Sequence, residues 1–487
     1  MVSIDRARQL VALLEAELMN RSGEADRLNS IYRGNQPLRF ASPEFREYFG
    51  QRYRGFSDNW TQVVADSPVE RLTPIGVKAA GDERADADLW RVWQTNGLDA
   101  DAQLGFLGAG IAGRCFVLVW GDPDDEDTPE VTFEDARECV VAYVPGSRRR
   151  RRAGLKRWQD GSSEYATLYL PDEVWKFKRP LLRHVKSVNM AGVDEVLNWQ
   201  PRDTGEEEPN PQPNPMGLVP LVELPNRPML AEEPLSDVAG TVAMQDAINL
   251  LWAHLFTASD YASLPQRVIL GAEVPKTPIL DDRGQVVGER PVELARFTKD
   301  RVVWVEGDQA KIAEWSAADL SAFTGVIEVA VGHIAAQTRT PQHYLIGRMA
   351  NLSGDALIAA ETGLVKRTEE KQLWFGQALR EVFRLIALAR GETAKAQALA
   401  AGTLLWADAE SRSQAQLADA LLKMKQIGMP FEWLAARYGL TPTEIVDVIA
   451  MRQREAELDP ISALADELGR SPAPVALPAG GSTDPML

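Results

Sequence analysis

The stretch SAADLSAFTGVIEVAVGHIAAQT (316–338) decides the fold, together with GDALIAAETGLVKRTEEKQLWFGQALREVFRLIALAR (354–390), which follows it after a short loop. Ser316 and Asp319 have the spacing of a helix-capping pair. Apolar residues then recur every three or four positions, which places them on one face of a helix. These residues are Leu320, Phe323, Ile327, Val331 and Ile334. The first stretch therefore predicts an amphipathic helix that ends near Thr338.

Two glycines interrupt this predicted helix at heptad spacing. Gly325 and Gly332 are seven residues apart, so they lie on one side of the helix. Glycine in a helix interior lowers the stability of the helix relative to alanine. A pair at this spacing therefore indicates that another backbone packs closely against that side.

A basic loop and a very long second helix follow. The loop RTPQHYLIGRMANLS (339–353) carries Arg339, His343 and Arg348 and no acidic residue. Ser353 can cap the second helix, and the apolar residues of that helix share one core face. They are Trp374, Ala378, Leu379, Val382, Phe383 and Ile386. A buried helix pair that flanks a basic loop is not an ordinary enzyme layout.

The charge balance is strongly acidic. The chain has 487 residues and a formal net charge of −17, and this length allows roughly two to four domains. A protein of this charge does not bind DNA non-specifically over its whole surface, but an acidic wall can let a polyanion slide past. The alternative is that the charge serves solubility alone.

Cysteine use and hydropathy indicate a soluble intracellular product. Cys115 and Cys139 each lie in an apolar run and form no disulfide or metal pattern. We therefore expect two buried thiols in a reducing compartment. No apolar run reaches the roughly 18 residues that span a bilayer. The N-terminus reads as a polar amphipathic helix and not as a signal peptide.

The chain changes character along its length. Residues 1–110 are predicted to be mostly helical, whereas short runs rich in Val, Tyr and Trp over 115–179 predict an antiparallel meander. The proline-rich segment 206–215 is interpreted as a linker and a domain boundary. Beyond it, Ser236 opens a helix that ends before Pro265.

The remainder contains a β-rich insert and a helical C-terminal part. Residues 266–312 have the candidate strands RVILGAEV (267–274), PVELARF (291–297) and RVVWVEG (301–307), with DDRG (281–284) as a turn. After Arg390 short helices are separated by Gly and Pro. The tetrapeptide Thr441-Pro442-Thr443-Glu444 is a good helix start because proline is favoured at the first helical position. Residues 471–487 are read as a disordered tail.

Two motifs resemble ligand sites but lack the required context. GAGIAG (108–113) matches the dinucleotide-binding fingerprint, which has to follow a strand and open a helix. Here the motif ends a predicted helix and precedes a strand, so close packing or a turn is the better interpretation. The acidic run DPDDEDTPE (122–130) lacks the ligand spacing of a calcium-binding loop. It is interpreted as a solvated hairpin loop.

A run of five arginines, Arg148 to Arg152, could form a nucleic-acid patch. In a strand, however, alternate residues point to opposite faces. The alternative is an exposed strand or turn that balances an acidic surface or pairs with a neighbouring subunit. The four histidines are scattered, and no catalytic or phosphate-loop motif is present. We therefore expect no enzymatic activity, no cofactor and no metal site.

The segment 431–452 offers a second hypothesis. A helix, a turn with Gly439 and a capped second helix have the order of a helix-turn-helix. A DNA-reading helix should present Arg, Asn, Gln or Ser near its start, but this helix presents Glu444 and Asp447. Acidic residues that face phosphates oppose binding, so a small helical packing module is favoured.

Several stretches together resemble the portal proteins of tailed double-stranded DNA phages, in the siphophage-type subgroup of Gram-positive and especially actinobacterial hosts. The similarity covers nearly the whole chain except the C-terminal tail and rests on the order and spacing of the stretches. They are YRGNQPLRFASPEFREYF (32–49), NPMGLVPLVELPNRP (214–228), ASLPQRVILGAE (262–273), TPQHYLIG (340–347), SGDALIAAETGLVKRTEEKQLWFG (353–376) and WADAESRSQAQLADALLKMKQIGMP (406–430).

The resemblance implies an α+β portal fold whose parts follow one another along the chain. These parts are an α/β wing (1–230), a stem helix (231–263), a β-rich clip (264–312), a second stem helix (313–338), a tunnel loop (339–353), a long helix that links wing and crown (354–400), a helical crown (401–470) and the tail (471–487).

The resemblance also implies a function and partners. The chain would form a dodecameric ring at one capsid vertex, would be assembled in the host cytoplasm, and would serve as a channel for genome packaging and ejection. The terminase large subunit, a head-tail adaptor, the major capsid and scaffolding proteins and non-specifically bound DNA would be its partners. The runner-up is another virion structural or adaptor protein that does not form the channel.

We assign candidate residues to three of these parts. Channel contacts with DNA are expected from Arg339, His343 and Arg348, although Arg339 and Arg348 could instead pair with Glu361 or other acids of neighbouring helices. Partner docking is expected from three residues near the predicted turn of the clip. These are Arg283, Glu289 and Arg290. Gly325 and Gly332 are expected to pack in the stem.

Overall fold

In a computed structural model, helices and strands are mixed along the chain. The structure describes residues 2–52, 56–125, 127–181, 198–205, 209–263, 267–270, 276–280, 283–291, 302–305, 311–314, 320–347, 354–410 and 414–458. The helices are α1 (Ile4–Tyr32), α2 (Pro43–Arg52), α3 (Trp60–Val69), α4 (Ala87–Thr95), α5 (Leu98–Ala112), α6 (Val242–Ser263), α7 (Ser321–Thr338), α8 (Gln342–Ile346), α9 (Gly354–Ala389), α10 (Thr393–Leu399), α11 (Gln414–Gln426), α12 (Phe431–Tyr438) and α13 (Pro442–Leu458).

The strands belong to several small sheets. They are β1 (Pro74–Lys78), β2 (Arg114–Trp120), β3 (Glu130–Glu134), β4 (Cys139–Tyr143), β5 (Arg151–Asp160), β6 (Ser163–Tyr169), β7 (Glu173–Pro180), β8 (Gln200–Pro201), β9 (Gln212–Pro213), β10 (Leu221–Pro225), β11 (Arg267–Leu270), β12 (Lys276–Leu280), β13 (Val286–Pro291), β14 (Val302–Val305), β15 (Lys311–Glu314) and β16 (Thr403–Trp406). A mixed α+β fold, as predicted, accommodates both sets.

The long helix α9 is the centre of the main hydrophobic core. Its C-terminal half packs against α4, α5 and the sheet of β10, β2 and β3. The ring of Phe375 stacks on Phe106 with 5.2 Å between centroids. The predicted core face is confirmed except at Trp374, which is only half-buried, whereas its neighbour Phe375 is fully buried. The buried face of the helix is therefore shifted slightly from the predicted one. Phe375, and not Trp374, packs against Phe106 of α5.

The predicted antiparallel meander is confirmed but forms two sheets. Strands β4, β5, β6 and β7 pair in sequence order, while β2 pairs with both β3 and β10 in a separate sheet. The segment 206–215 is not a domain boundary, because Gln212 pairs with Val174 on β7 and the chain then returns through β10 to the same unit. Helix α1 covers the meander with its apolar side.

The motifs in this unit have structural roles. Gly113 ends α5 with a left-handed φ of 87°, and a Cβ there would lie 2.6 Å from the carbonyl oxygen of Pro234. The fingerprint 108–113 therefore closes a helix, as the interpretation above required. The acidic run lies in the connection between β2 and β3. Cys115 and Cys139 are free and buried, and burial raises the pKa of both thiols.

The C-terminal helices attach to the N-terminal unit. Strand β16 pairs antiparallel with β1, a pairing that the predicted helical character of residues 1–110 missed. Helix α13 begins with the expected capping arrangement, in which the Thr441 amide donates to Glu444 Oε2 at 2.8 Å. A Cβ at Gly76 would lie 2.8 Å from the Pro442 side chain. The start of α13 thus faces β1, which is unfavourable for a DNA-reading helix.

Candidate functional site

Helices α6 and α7 pack against each other and share a small core. Ile327, Val331 and Ile334 of α7 are buried against Ile248 of α6, which confirms the predicted stripe in its C-terminal two-thirds. Leu320 and Phe323 are only half-buried. The cap residues Ser316, Asp319 and Ser353 lie outside the described residues.

The two glycines of α7 lie away from this core. A Cβ at Gly325 would meet no described atom within 4 Å, and one at Gly332 would meet only the Gln342 side-chain nitrogen, at 3.6 Å. Both glycines line a cleft of about 550 Å³ between α7 and α8. Val329 lines the same cleft and is 59% exposed, and Val326 is 53% exposed. The close backbone expected at these glycines is therefore not supplied by the described part of this protomer.

The loop after α7 begins with a strained, exposed arginine. Arg339 has a left-handed φ of 55° and ends the helix, with its backbone N–H directed at Ala335 and Ala336 carbonyls. Gly363 of α9 permits this approach, because a Cβ there would lie 3.3 Å from the Arg339 Cβ. Within the described residues, no carboxylate forms an ion pair with Arg339. Arg348 lies outside the described residues.

Glu361, considered above as a partner for the loop arginines, is engaged elsewhere. Its Oε2 accepts a hydrogen bond from Arg71 Nη2 at 3.0 Å. Its Oε1 lies 3.8 Å from His343 Nε2, and the His343 side chain is only 9% exposed. His343 also contacts Tyr344 edge to face, with 4.8 Å between ring centroids. Sequence reasoning placed His343 with the exposed cations, whereas the structure packs it against a carboxylate.

A buried ionic joint connects α6 and α7 to the long helix α9. It consists of Asp237, just before α6, with Arg367 and Lys371 of α9 and Asn226 after β10. Lys371 Nζ donates to Asp237 Oδ2 at 2.6 Å and also to Asn226 Oδ1. Arg367 Nη2 lies 3.0 Å from Asp237 Oδ1, and Nη1 donates to the carbonyl oxygen of Thr338, the last residue of α7, at 2.9 Å.

The electrostatics of the joint favour an ionised carboxylate. Burial alone would raise the pKa of Asp237, but the charges of Lys371 and Arg367 outweigh burial and lower this pKa to about 2. Burial lowers the pKa of Lys371, and Asp237 opposes that shift. Sequence reasoning missed the joint. The available signal was two cations four residues apart on the apolar side of a long helix, which require a buried anion.

The β-rich insert contains a three-stranded sheet and a separate hairpin. Strand β11 pairs in parallel with β14 and antiparallel with β15, while β12 pairs with β13. The predicted strands at 267–274 and 301–307 are confirmed at β11 and β14, and most of 291–297 lies outside the described residues. The candidate docking residues lie on or beside the hairpin, and all three are exposed. They are Arg283, Glu289 and Arg290.

The arginine run spans an exposed turn and the first residues of β5. Arg151 is largely buried and its Nη2 lies 3.2 Å from Glu381 Oε1 of α9, whereas Arg148, Arg149 and Arg150 are exposed. Among the described residues, no group of three His, Cys, Asp or Glu side chains is placed to hold a metal ion. No helix in the described ranges is long and apolar enough to cross a membrane.

The structure thus has a pair of packed helices, an exposed arginine directly after α7 and a β-insert between the two helices. The sequence matches the model of the family described as "Phage portal protein, SPP1 Gp6-like" over residues 17–432. The chain therefore belongs to the phage portal protein family, whose members are structural proteins of the virion. This confirms the resemblance found in the sequence.

Two curated relatives are the portal proteins of Mycobacterium phages L5 and D29. Each is 28% identical over 383 residues, which cover 75% of this chain and 71% and 72% of the relatives. Among solved structures, chains from "Virion of native gene transfer agent (GTA) particle" and "Neck of empty GTA particle computed with C6 symmetry" are 13% identical, with TM-scores of 0.39 and 0.41. The matches cover 86% and 83% of this chain and 94% and 95% of those chains.

Proposed function

We propose that this portal protein assembles as a ring of twelve copies around a channel for double-stranded DNA. The observation that carries this proposal is the side of α7 that the described residues leave exposed. Gly325, Val329 and Gly332 line an open cleft, and Val326 of the same helix is also exposed. Apolar surface exposed in a contiguous patch favours association, and small residues allow the backbone of a neighbouring helix to approach.

The energy of such a contact is modest per subunit. Burying a valine side chain completely contributes about 1.5–3 kcal/mol, so two half-exposed valines would contribute about 2 kcal/mol at each interface. Repetition around a closed ring multiplies this contribution. Exclusion of water from the cleft of about 550 Å³ would add to it when a neighbouring helix enters.

The loop after α7 would face the DNA. Arg339 is exposed and has no ionic partner in the described part of the chain, and in a ring it would repeat around the channel with Arg348. A collar of isolated arginines would contact phosphates without reading sequence, and salt would weaken each contact. The acidic side chains elsewhere in the protein would repel the phosphates and so limit non-specific binding of the DNA. His343 would contribute less, because its side chain is packed against Glu361.

The β-insert would be the docking surface for the terminase large subunit and the head-tail adaptor. The side chains on both strands of its hairpin are mostly exposed. Lys276 Nζ lies 4.0 Å from Glu289 Oε2 on the opposite strand. Exposed strand edges and mixed charges suit a partner that is bound and later exchanged. The wing would meet major capsid and scaffolding proteins at one vertex after assembly in the host cytoplasm. The role is mechanical, without catalysis or a cofactor.

Leucine substitutions at the stem glycines test ring formation. Gly325→Leu and Gly332→Leu should lower the fraction of protein in rings because their side chains would occupy the cleft. Gly23→Leu is the matched control, since Gly23 is also within a helix and a Cβ there meets no described atom within 4 Å. Light scattering gives the assembly state and circular dichroism the folding. Unchanged rings in both stem variants would contradict the stem assignment.

A further inference from the structure

Arg71 joins segments that are far apart in sequence. It lies in the turn between α3 and β1, and its side chain is only 12% exposed. Nη2 donates to Tyr344 Oη at 2.8 Å and to Glu361 Oε2 at 3.0 Å, and Nη1 donates to the carbonyl oxygen of Ala409 at 3.1 Å. One guanidinium therefore links the wing to α8, to α9 and to the start of the C-terminal helices.

The contacts require an arginine that stays charged. Burial alone would lower the pKa of Arg71, but hydrogen bonds with Glu361 and Tyr344 outweigh burial and raise it. A planar guanidinium can direct separate N–H groups at three acceptors, whereas a lysine has one nitrogen on a flexible stem. The geometry thus depends on the fork of the side chain as well as on its charge.

Helix α8 is the element that Arg71 holds in place. This five-residue helix lies between two left-handed residues, Arg339, which ends α7, and Gly347, which ends α8. Leu345 anchors its apolar side in the stem core. On its polar side, Tyr344 is held by Arg71, with its hydroxyl 3.5 Å from Glu361 Oε1.

We propose that Arg71 is a positioning residue for the channel loop: through Tyr344 and Glu361 it fixes α8 against the wing and thereby sets where Arg339 meets DNA. The inference rests on the proposed function of that loop. A force on the loop would reach the wing and the C-terminal helices through the same guanidinium, because Ala409 precedes α11 and is bound by the other nitrogen.

The alternative is that the ion pair only stabilises the fold. Arg390 provides a matched control for this alternative. Its side chain is 13% exposed, it also joins α9 to the N-terminal unit, through Asp88 at 2.8 Å, and it lies at the far end of α9 from the loop. A purely structural role would give Arg71→Gln and Arg390→Gln the same phenotype.

The experiment compares amide hydrogen exchange in purified full-length protein with DNA content in virions that carry each variant. Arg71→Gln should speed exchange of residues 339–347 by roughly tenfold, because hydrogen bonds to a charged group are lost there. Arg390→Gln should leave exchange of that segment unchanged. Arg71→Lys should give an intermediate rate. DNA per virion should fall with Arg71→Gln and not with Arg390→Gln.

The outcomes separate this inference from the proposed function. Equal exchange of 339–347 in Arg71→Gln and wild type would overturn the positioning role. If exchange rises and DNA content stays normal, Arg339→Glu decides the cause. A loss of DNA with Arg339→Glu would then overturn the link from Arg71 to the loop. Normal DNA content with Arg339→Glu would instead show that the proposed DNA contact is wrong.

Discussion

Replacing Asp237 with asparagine would leave two buried cations without their anion. In the ionic joint, Asp237 faces Lys371 at 2.6 Å and Arg367 at 3.0 Å, and its carboxylate is completely buried. Asparagine has nearly the same shape, so packing is preserved and the change is electrostatic. The loss of unfolding free energy in this variant should therefore measure how much the charge of Asp237 stabilises the contact between α6, α7 and α9.

The magnitude follows from the structure in two ways. Lowering the pKa of Asp237 from 3.8 to about 2 corresponds to roughly 2 kcal/mol of preference for the ionised form. Removing one partner of a buried pair costs more, about 3–5 kcal/mol, because the remaining charges stay desolvated. We therefore expect Asp237→Asn to lower the free energy of unfolding at neutral pH by about 3 kcal/mol or more.

The assay is urea denaturation followed by circular dichroism, with Asp246→Asn as the control. Asp246 is also a buried carboxylate and lies within α6, but burial raises its pKa despite Arg39 and Arg27. Neutralising it should therefore change the free energy of unfolding little. In wild type, the folded-state pKa of Asp237 lies below its unfolded value. Its stabilisation is thus complete above about pH 4 and is lost as the pH falls through about 2.

Equal denaturation midpoints for Asp237→Asn and wild type would refute the reasoning. The reasoning would also be refuted if Asp246→Asn lowered the free energy of unfolding as much as Asp237→Asn. The loss would then come from burial of the carboxylate and not from its ion pairs. A further check is that the difference between wild type and Asp237→Asn should shrink at acid pH, since protonation of Asp237 has the same electrostatic effect as the substitution.

Two further predictions concern the proposed contacts. Charge reversal at Arg283, Glu289 and Arg290 should leave rings intact and weaken capture of the terminase large subunit, most clearly at low salt; normal capture in a pull-down would remove the hairpin from the docking surface. Arg339→Glu combined with Arg348→Glu should leave ring assembly unchanged but lower the DNA packaged or retained, because the collar would repel phosphates. A full-length genome at normal virion yield would exclude this loop as a DNA contact.

Local patterns in the sequence predicted the long elements well. The three-to-four spacing of Ile327, Val331 and Ile334 predicted α7 and its buried side, and the meander and the start of α13 were also predicted. These features depend on periodicity and capping, which are properties of neighbouring residues. Even the error at Trp374, where the neighbouring Phe375 is the buried residue, amounts to a small rotation of a correctly predicted helix.

Contacts between distant segments were not predictable in the same way. Strands β1 and β16 are short and pair across more than three hundred residues. Hairpin β12–β13 is exposed on both strands, so it has no alternating apolar pattern to reveal it. Arg71 is one of many arginines, and nothing near it in sequence marks Tyr344 or Glu361 as its partners.

Negative-stain electron microscopy of the purified full-length chain tests the central claim most directly. We predict ring-shaped particles with a central hole in end-on views, because we propose that a neighbouring copy covers the side of α7 that the described residues leave exposed. Wild type and Gly23→Leu should both show them, and Gly325→Leu should not. Single subunits or compact particles without a hole, in wild-type protein that is folded by circular dichroism, would contradict the proposed channel.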